Sequence, residues 1–213
     1  MNFGLFLDKI VHLEHLPLPG ETAQFKMSPP YRQALLKMNE QVIKNSKKAA
    51  VMALFYPNIN NETYIVLIKR KSYKGVHSAQ FAFPGGKVEK SDVTLMDTAL
   101  RETEEEIGIP KNNIINIKQL TELYIPPSNF TVFPYFGTLL NTPIFIKQES
   151  EVDAIVEVSL KDFLNEKMIS TTIVKTSYNI EVEVPAYNLN GNIVWGATAM
   201  MLSEIKELLN KVL

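Results

Sequence analysis

The sequence predicts an α/β (α+β) fold in which a central sheet packs between helices, and three observations carry that expectation. Aliphatic and β-branched runs at Ala49–Tyr56 and Thr63–Lys69 flank the turn-rich segment Pro57–Glu62. An apolar stripe of helical period runs through Leu100, Thr103 and Ile107. Another, through Met201, Ile205, Leu208, Leu209 and Val212, closes the chain. With 213 residues, 46% of them hydrophobic, the chain is long enough for one well-buried core. It reads as a single domain over residues 1–213, with a helical extension at about 1–46.

Taken in order, Phe3, Phe6, Leu7, Ile10, Val11 and Leu13 form a near-helical stripe that Pro17, Pro19 and Gly20 end. A second helix is expected from Tyr31 to Lys44, after Pro29 and Pro30, with its leucines inward and its basic residues outward. Two strands then enclose the turn at 57–62. A basic stretch, Lys69, Arg70, Lys71 and Lys74, leads through Gly75–Gln80 into a short strand before Gly85. Beyond the middle helix, Ile114–Ile125 and Phe130–Leu140 read as strands. The second is expected at an edge or a bulge, because Pro134 cannot donate to a ladder. The acidic stretch Glu149–Glu157 turns helical around Ser159–Leu164, residues 171–186 alternate as a hairpin does, and Trp195–Leu213 is helical.

Charge and composition exclude several function classes. Lysine plus arginine (22) nearly balances aspartate plus glutamate (23), so no global field draws the chain to nucleic acid or an anionic membrane. The chain has no cysteine, which removes disulfides, thiol redox chemistry and cysteine-zinc sites. Met1–Asp8 is too short an apolar run for a signal peptide, and no run approaches the ~18 apolar residues of a membrane span. A cytoplasmic protein is expected, without nucleic-acid or membrane partners; any phosphate binding must be local. The oligomeric state stays open, a homodimer included.

The chemistry lies in Glu102, Glu105 and Glu106, spaced so that a helix projects them from one side. Like charges at these spacings destabilise a bare helix by roughly 0.2–0.5 kcal/mol per pair, which a bound cation would relieve. Oxygen ligands alone favour a hard ion, Mg²⁺ or Mn²⁺, over zinc. Glu104 reads as solvated. Gly85 and Gly86 allow a tight turn close to the carboxylates, and Gly108, with Pro110 beyond it, ends the helix. Arg70 is the basic residue best suited to grip two phosphate oxygens, with Lys74 and Lys87 as further cations for an anionic substrate. Glu151 is a candidate ligand from an opposite loop, although a solvent-facing role is the plainer reading. His12 and His15 read as part of the packing leader rather than a metal site. No elbow or acidic orienter makes His77 and Ser78 a nucleophilic pair.

These residues resemble a known family. Gly86, Asp92, Arg101-Glu102, Glu105-Glu106 and Gly108-Ile109 are similar to the Nudix box, which runs Gly, five residues, Glu, seven residues, Arg-Glu-x-x-Glu-Glu-x-Gly and an aliphatic. Asp92 replaces the first glutamate, and eight residues rather than seven separate it from Arg101. The resemblance implies an α/β/α sandwich with a mixed central sheet. It also implies Glu102 and Glu106 as metal ligands, Glu105 as ligand or general base, and Arg101 orienting the glutamates with Asp92 as its ion partner.

Within that family the chain resembles the coenzyme A pyrophosphatases in Phe83–Lys87, Thr98–Glu102, Tyr124–Phe130 and Ile193–Ala199. Their upstream signature is only partly kept: Val66-Leu67 and Arg70 fit, whereas Lys71, Gly75 and Ala79 replace its serine, arginine and glycine. The implied reaction is cleavage of coenzyme A or an acyl derivative to 3′,5′-ADP and (acyl-)4′-phosphopantetheine. The alternatives are a Nudix hydrolase of ADP-ribose or a dinucleotide, and a Nudix fold that binds ligand without catalysis.

Overall fold

The computed structural model describes residues 1–38, 40–71, 80–175 and 181–213. The candidate residues Lys74, Gly75, His77, Ser78 and Ala79 lie outside them.

Seven helices are described: α1 (Phe3–Ile10), α2 (Glu21–Gln24), α3 (Arg32–Met38), α4 (Glu40–Lys44), α5 (Leu95–Ile107), α6 (Leu160–Leu164) and α7 (Gly196–Asn210). The strands are β1 (Lys47–Pro57), β2 (Thr63–Arg70), β3 (Phe81–Ala82), β4 (Gly85–Lys87), β5 (Ile115–Gln119), β6 (Leu123–Ile125), β7 (Phe130–Thr138), β8 (Val152–Ser159), β9 (Ile169–Lys175), β10 (Glu181–Leu189) and β11 (Asn192–Trp195). One mixed sheet runs β3-β2-β1-β7-β5, with β4 also on β1, β6 on β7 and β8 on β2. The β1–β7 pair is parallel, and the other pairs are antiparallel. A second, three-stranded antiparallel sheet runs β11-β10-β9.

β1 shows why helices cover both faces. Ala49, Ala53 and Phe55 point into one apolar cluster with Phe3, Phe6 and Ile10 of α1 and Met201, Ile205 and Leu209 of α7. The alternate residues Ala50, Met52, Leu54 and Tyr56 point into the other, with Ala99, Leu100 and Ile107 of α5. A strand buried on both faces reads as a continuous apolar run, as Ala49–Tyr56 does. On the α7 side Glu204, fully buried, accepts from the backbone N of Gly20 (3.3 Å), Gln24 Nε2 (3.1 Å), and the Oγ1 and backbone N of Thr121 (2.6 and 3.4 Å). One carboxylate thus ties the N-terminal segment to α7 and the β5–β6 connection.

Four expectations need correction. Phe130–Thr138 is a central strand, flanked by β1 on one side and by β5 and β6 on the other. Pro134 is tolerated because its neighbour changes there: β6 pairs up to Val132, β5 begins opposite Tyr135, and no strand residue pairs with Pro134 on that side. Its carbonyl accepts from Leu120 N (2.9 Å) across that joint. Ile114–Ile125 is accordingly two strands. The acidic stretch conceals strand β8, antiparallel to β2. Arg32 is turned inward rather than outward and is 8% exposed.

Candidate active site

The site grows from the place where β1 changes partners. One of its edges pairs with β7, while the other pairs with β2 at Phe55–Pro57 and with β4 at Ala49–Val51. Gly85 and Gly86 lie opposite Val51 and Ala50, where there is no room for a side chain. A Cβ at Gly85, whose φ is +153°, would come within 2.4 Å of the Ala50 carbonyl oxygen. One at Gly86 would come within 2.3 Å of the Glu102 carboxyl.

Against this turn lies α5. Its start is a capping box: Thr94 Oγ1 accepts from Asp97 N (3.1 Å), and Asp97 Oδ2 accepts from Thr94 N (2.8 Å). Its end is Gly108, left-handed at φ +74°. Thr98, Ala99, Leu100, Thr103 and Ile107 bury one face, and Glu106 is buried with them at 1% exposed. Glu106 Oε2 accepts from Gly85 N (2.8 Å), and its Oε1 lies 3.4 Å from Arg70 Nη1. Burial pushes this carboxyl up to about 7; the Gly85 N–H and Arg70 oppose the shift, and the charges of Glu102 and Glu151 add to it. Burial also raises Glu102, against the pull of Arg101 and with the charges of Glu105 and Glu151 pushing the same way.

Arg101 organises the outer half. Its Nε and Nη2 fork onto Asp92 Oδ1 and Oδ2 (2.9 and 3.0 Å), Nη2 also reaches the Lys87 carbonyl (3.0 Å), and Nη1 donates to Glu102 (3.1 Å) and Glu105 (2.9 Å). Asp92 accepts in addition from Glu89 N (2.8 Å) and Thr98 Oγ1 (2.9 Å). The guanidinium holds its carboxyl well below the usual carboxylate range, against the cost of burial. The structure therefore brings Asp92, Arg101, Glu102, Glu105 and Glu106 together with Gly85, Gly86 and Lys87. Glu105 is the outermost of the three box glutamates, its side chain 54% exposed, and Glu104 faces solvent.

The basic stretch divides. Lys69 pairs with Asp153 (2.7 Å), and Lys71 Nζ donates to the Glu149 carbonyl. Arg70, between them on the alternating strand, is turned to Glu106. Strand alternation was the signal that could have separated these three charges. Glu151 is exposed, yet its charge acts on both Glu102 and Glu106.

Whether these residues suit a divalent cation is a question of donor chemistry. The donors are all carboxylate oxygens, Glu102 beyond its Arg101 contact and Glu106 beyond Gly85 N keep acceptor capacity that no strong donor among the described residues fills, and their charges repel one another. That fits a hard ion. Among the described residues, no three acidic or histidine side chains already converge as a metal cage. Arg101 Nη1 holds Glu102 and Glu105 instead. His12 and His15 are exposed on the turn Val11–His15.

Beside the turn opens a cavity of about 550 Å³. Arg70, Gly85, Gly86 and Lys87 line it on one side; Ile125–Ser128, Phe130 and Trp195–Thr198 line it elsewhere. Sequence reasoning missed one lining residue of consequence, Arg32. Its partner is the carbonyl of Tyr124, too far along the chain for local periodicity to register.

A mixed sheet between helices, with a glycine turn set against a carboxylated helix, defines the architecture of a Nudix protein. Residues 47–175 match the NUDIX domain model, more than half of the chain, and the chain belongs to that family. It is 31% identical over 167 residues to the uncharacterized Nudix hydrolase NudL of Yersinia enterocolitica, covering 78% of this chain and 83% of the relative. Identity to NudL of Yersinia pestis is 28% over 186 residues, 86% of this chain and 90% of the relative. Among solved structures, a MutT/nudix family protein from Enterococcus faecalis superposes with a TM-score of 0.54 at 16% identity, over 96% of this chain and 74% of that one. RenU, a Nudix hydrolase from M. smegmatis, does so with a TM-score of 0.51 at 14% identity, over 79% and 88%. At these identities the structural likeness speaks to the fold.

Proposed function

We propose that this protein hydrolyses the pyrophosphate bond of coenzyme A or an acyl-coenzyme A, giving 3′,5′-ADP and (acyl-)4′-phosphopantetheine. The observation that carries the reading is the shared cavity. It joins the glycine turn and Arg70, which contact the carboxylates, to Ile125–Phe130 and Trp195–Thr198, segments within those that resemble the coenzyme A pyrophosphatases.

In this reading Arg70 grips a phosphoryl oxygen of the pyrophosphate, and the side-chain-free Gly85–Gly86 backbone lets the phosphates approach the carboxylates. The half-buried rings of Phe81, Phe130 and Trp195 line the cavity and suit the base and the less polar parts of the substrate. Glu102 and Glu106 hold Mg²⁺ or Mn²⁺, and Glu105 joins them or accepts the proton of the attacking water. Arg101, fixed by its fork onto Asp92, positions Glu102 and Glu105. When bound, the cation neutralises phosphate charge and acidifies water. Water adds to phosphorus, the bridging P–O bond breaks with the bridging oxygen leaving on the other phosphate, and each product keeps one phosphate of the former pyrophosphate.

Product identification from purified protein incubated in Mg²⁺ or Mn²⁺ with coenzyme A, ADP-ribose and a dinucleotide tests this reading. Release of 3′,5′-ADP from coenzyme A is expected. Turnover confined to ADP-ribose or the dinucleotide would overturn the substrate, and turnover of none would favour a ligand-binding role.

A further inference from the structure

Arg32 lies on α3, ahead of the residues that match the family model, in the wall between two cavities. It is 8% exposed; Nη2 donates to the Tyr124 carbonyl, while Nε, also buried, has no hydrogen-bond partner among the described residues. Among the described residues no carboxylate forms an ion pair with it. Burial lowers its pKa to about 10, with the charge of Glu21 opposing the shift, so the guanidinium stays charged at neutral pH. A buried cation with no carboxylate in direct contact is costly, and an anion brought by a ligand reduces the cost.

The two cavities are not equivalent. The larger, about 860 Å³, is also lined by Glu21 and Glu122, and the charge of Glu21 acts on Arg32 from that side. Among the described residues, no acidic side chain lines the cavity beside Gly85–Gly86. Its lysines, Lys87 and Lys175, are exposed, so water screens them, whereas Arg32 is not screened in this way. One cavity thus carries two guanidinium groups from separate elements: Arg70 beside the carboxylate helix and Arg32 beside Tyr124.

We propose that Arg32 receives a phosphomonoester of the substrate other than the phosphates of the bond being cleaved, and so selects nucleotides that carry one. The assignment rests on the pyrophosphate-hydrolysis reading for its substrate class, where the 3′-phosphate of the 3′,5′-ADP moiety is such a group. The planar fork, with Nε free, offers the donors a phosphate dianion accepts.

The deciding measurement is equilibrium binding of 3′,5′-ADP and 5′-AMP to the full chain by calorimetry without divalent cation, which involves no turnover. Wild type should bind 3′,5′-ADP about tenfold to a hundredfold more tightly. Arg32→Gln should remove that preference while leaving 5′-AMP unchanged, and Arg32→Lys should keep part of it. In turnover, Arg32→Gln should raise KM for coenzyme A with kcat little changed and spare 3′-dephospho-coenzyme A. Equal or absent binding of the two nucleotides by wild type would overturn the proposal, as would a preference that survives Arg32→Gln. Thermal melting checks folding; should Arg32→Gln not fold, Arg32→Lys decides, a fully retained preference counting against the proposal. If coenzyme A is not hydrolysed but Arg32 still governs 3′,5′-ADP binding, the reaction reading fails and this one stands.

Discussion

Glu204 on α7 and Glu106 on α5 are both buried carboxylates on helices that cover the sheet, yet their surroundings differ. Glu204 is saturated, accepting from four donors. Among the described residues, Glu106 has one short bond, from Gly85 N, and a long one from Arg70. Asp92 belongs with Glu204, having Arg101, Glu89 N and Thr98 around it. A saturated carboxylate holds structure together, whereas an under-saturated one, pushed up by burial, retains capacity for a ligand.

Four substitutions test that distinction. Glu106→Gln should reduce hydrolysis by about 10³-fold, the scale of losing charge-stabilising chemistry, without lowering the melting temperature. Full activity in steady-state assays would remove Glu106 from the proposed ligands. Glu204→Ala should do the opposite, costing about 3 kcal/mol in denaturant unfolding while per-molecule activity persists, because it strands several buried donors. Asp92→Asn should cost about 2 kcal/mol at neutral pH. Because the folded-state pKa of Asp92 is depressed, its contribution is fully present above the unfolded value of about 4 and is lost as pH falls below it. The gap between wild type and Asp92→Asn should therefore close in acid, and a gap independent of pH would contradict the ion pair. The smallest effect is expected from Gly86→Ala. The new methyl meets the flexible end of Glu102, so the carboxylate should shift, and activity should fall roughly tenfold with little change in unfolding.

Much of α5 was legible in the sequence because its signals are local: the stripe Leu100, Thr103 and Ile107 faces the sheet, and Gly108 stops the helix. The unequal exposure of the glutamates was not legible, since it depends on where β4 places Gly85 against Glu106. β8 escaped because Glu149, Glu151 and Asp153 made its approach read as a solvated loop, while its pairing partner is β2, far back in the chain. Pro134 argued for an edge strand and was overruled by a change of neighbour that only the assembled sheet contains. Arg32 followed the general expectation for a basic residue on a helix, and a distant carbonyl decided otherwise.

The parallel β1–β7 pair also bears on the order of folding. Its partners lie far apart in sequence, with α5 on the connection between them, and pairings of that kind form slowly because loop closure precedes any reward. β1, β2, β4 and α5 can meet through shorter loops, so the glycine turn and its glutamates can assemble first. The cavity wall supplied by Ile125–Phe130 must await the closing of that pair, and a newly made chain would possess its carboxylates before it possesses a pocket.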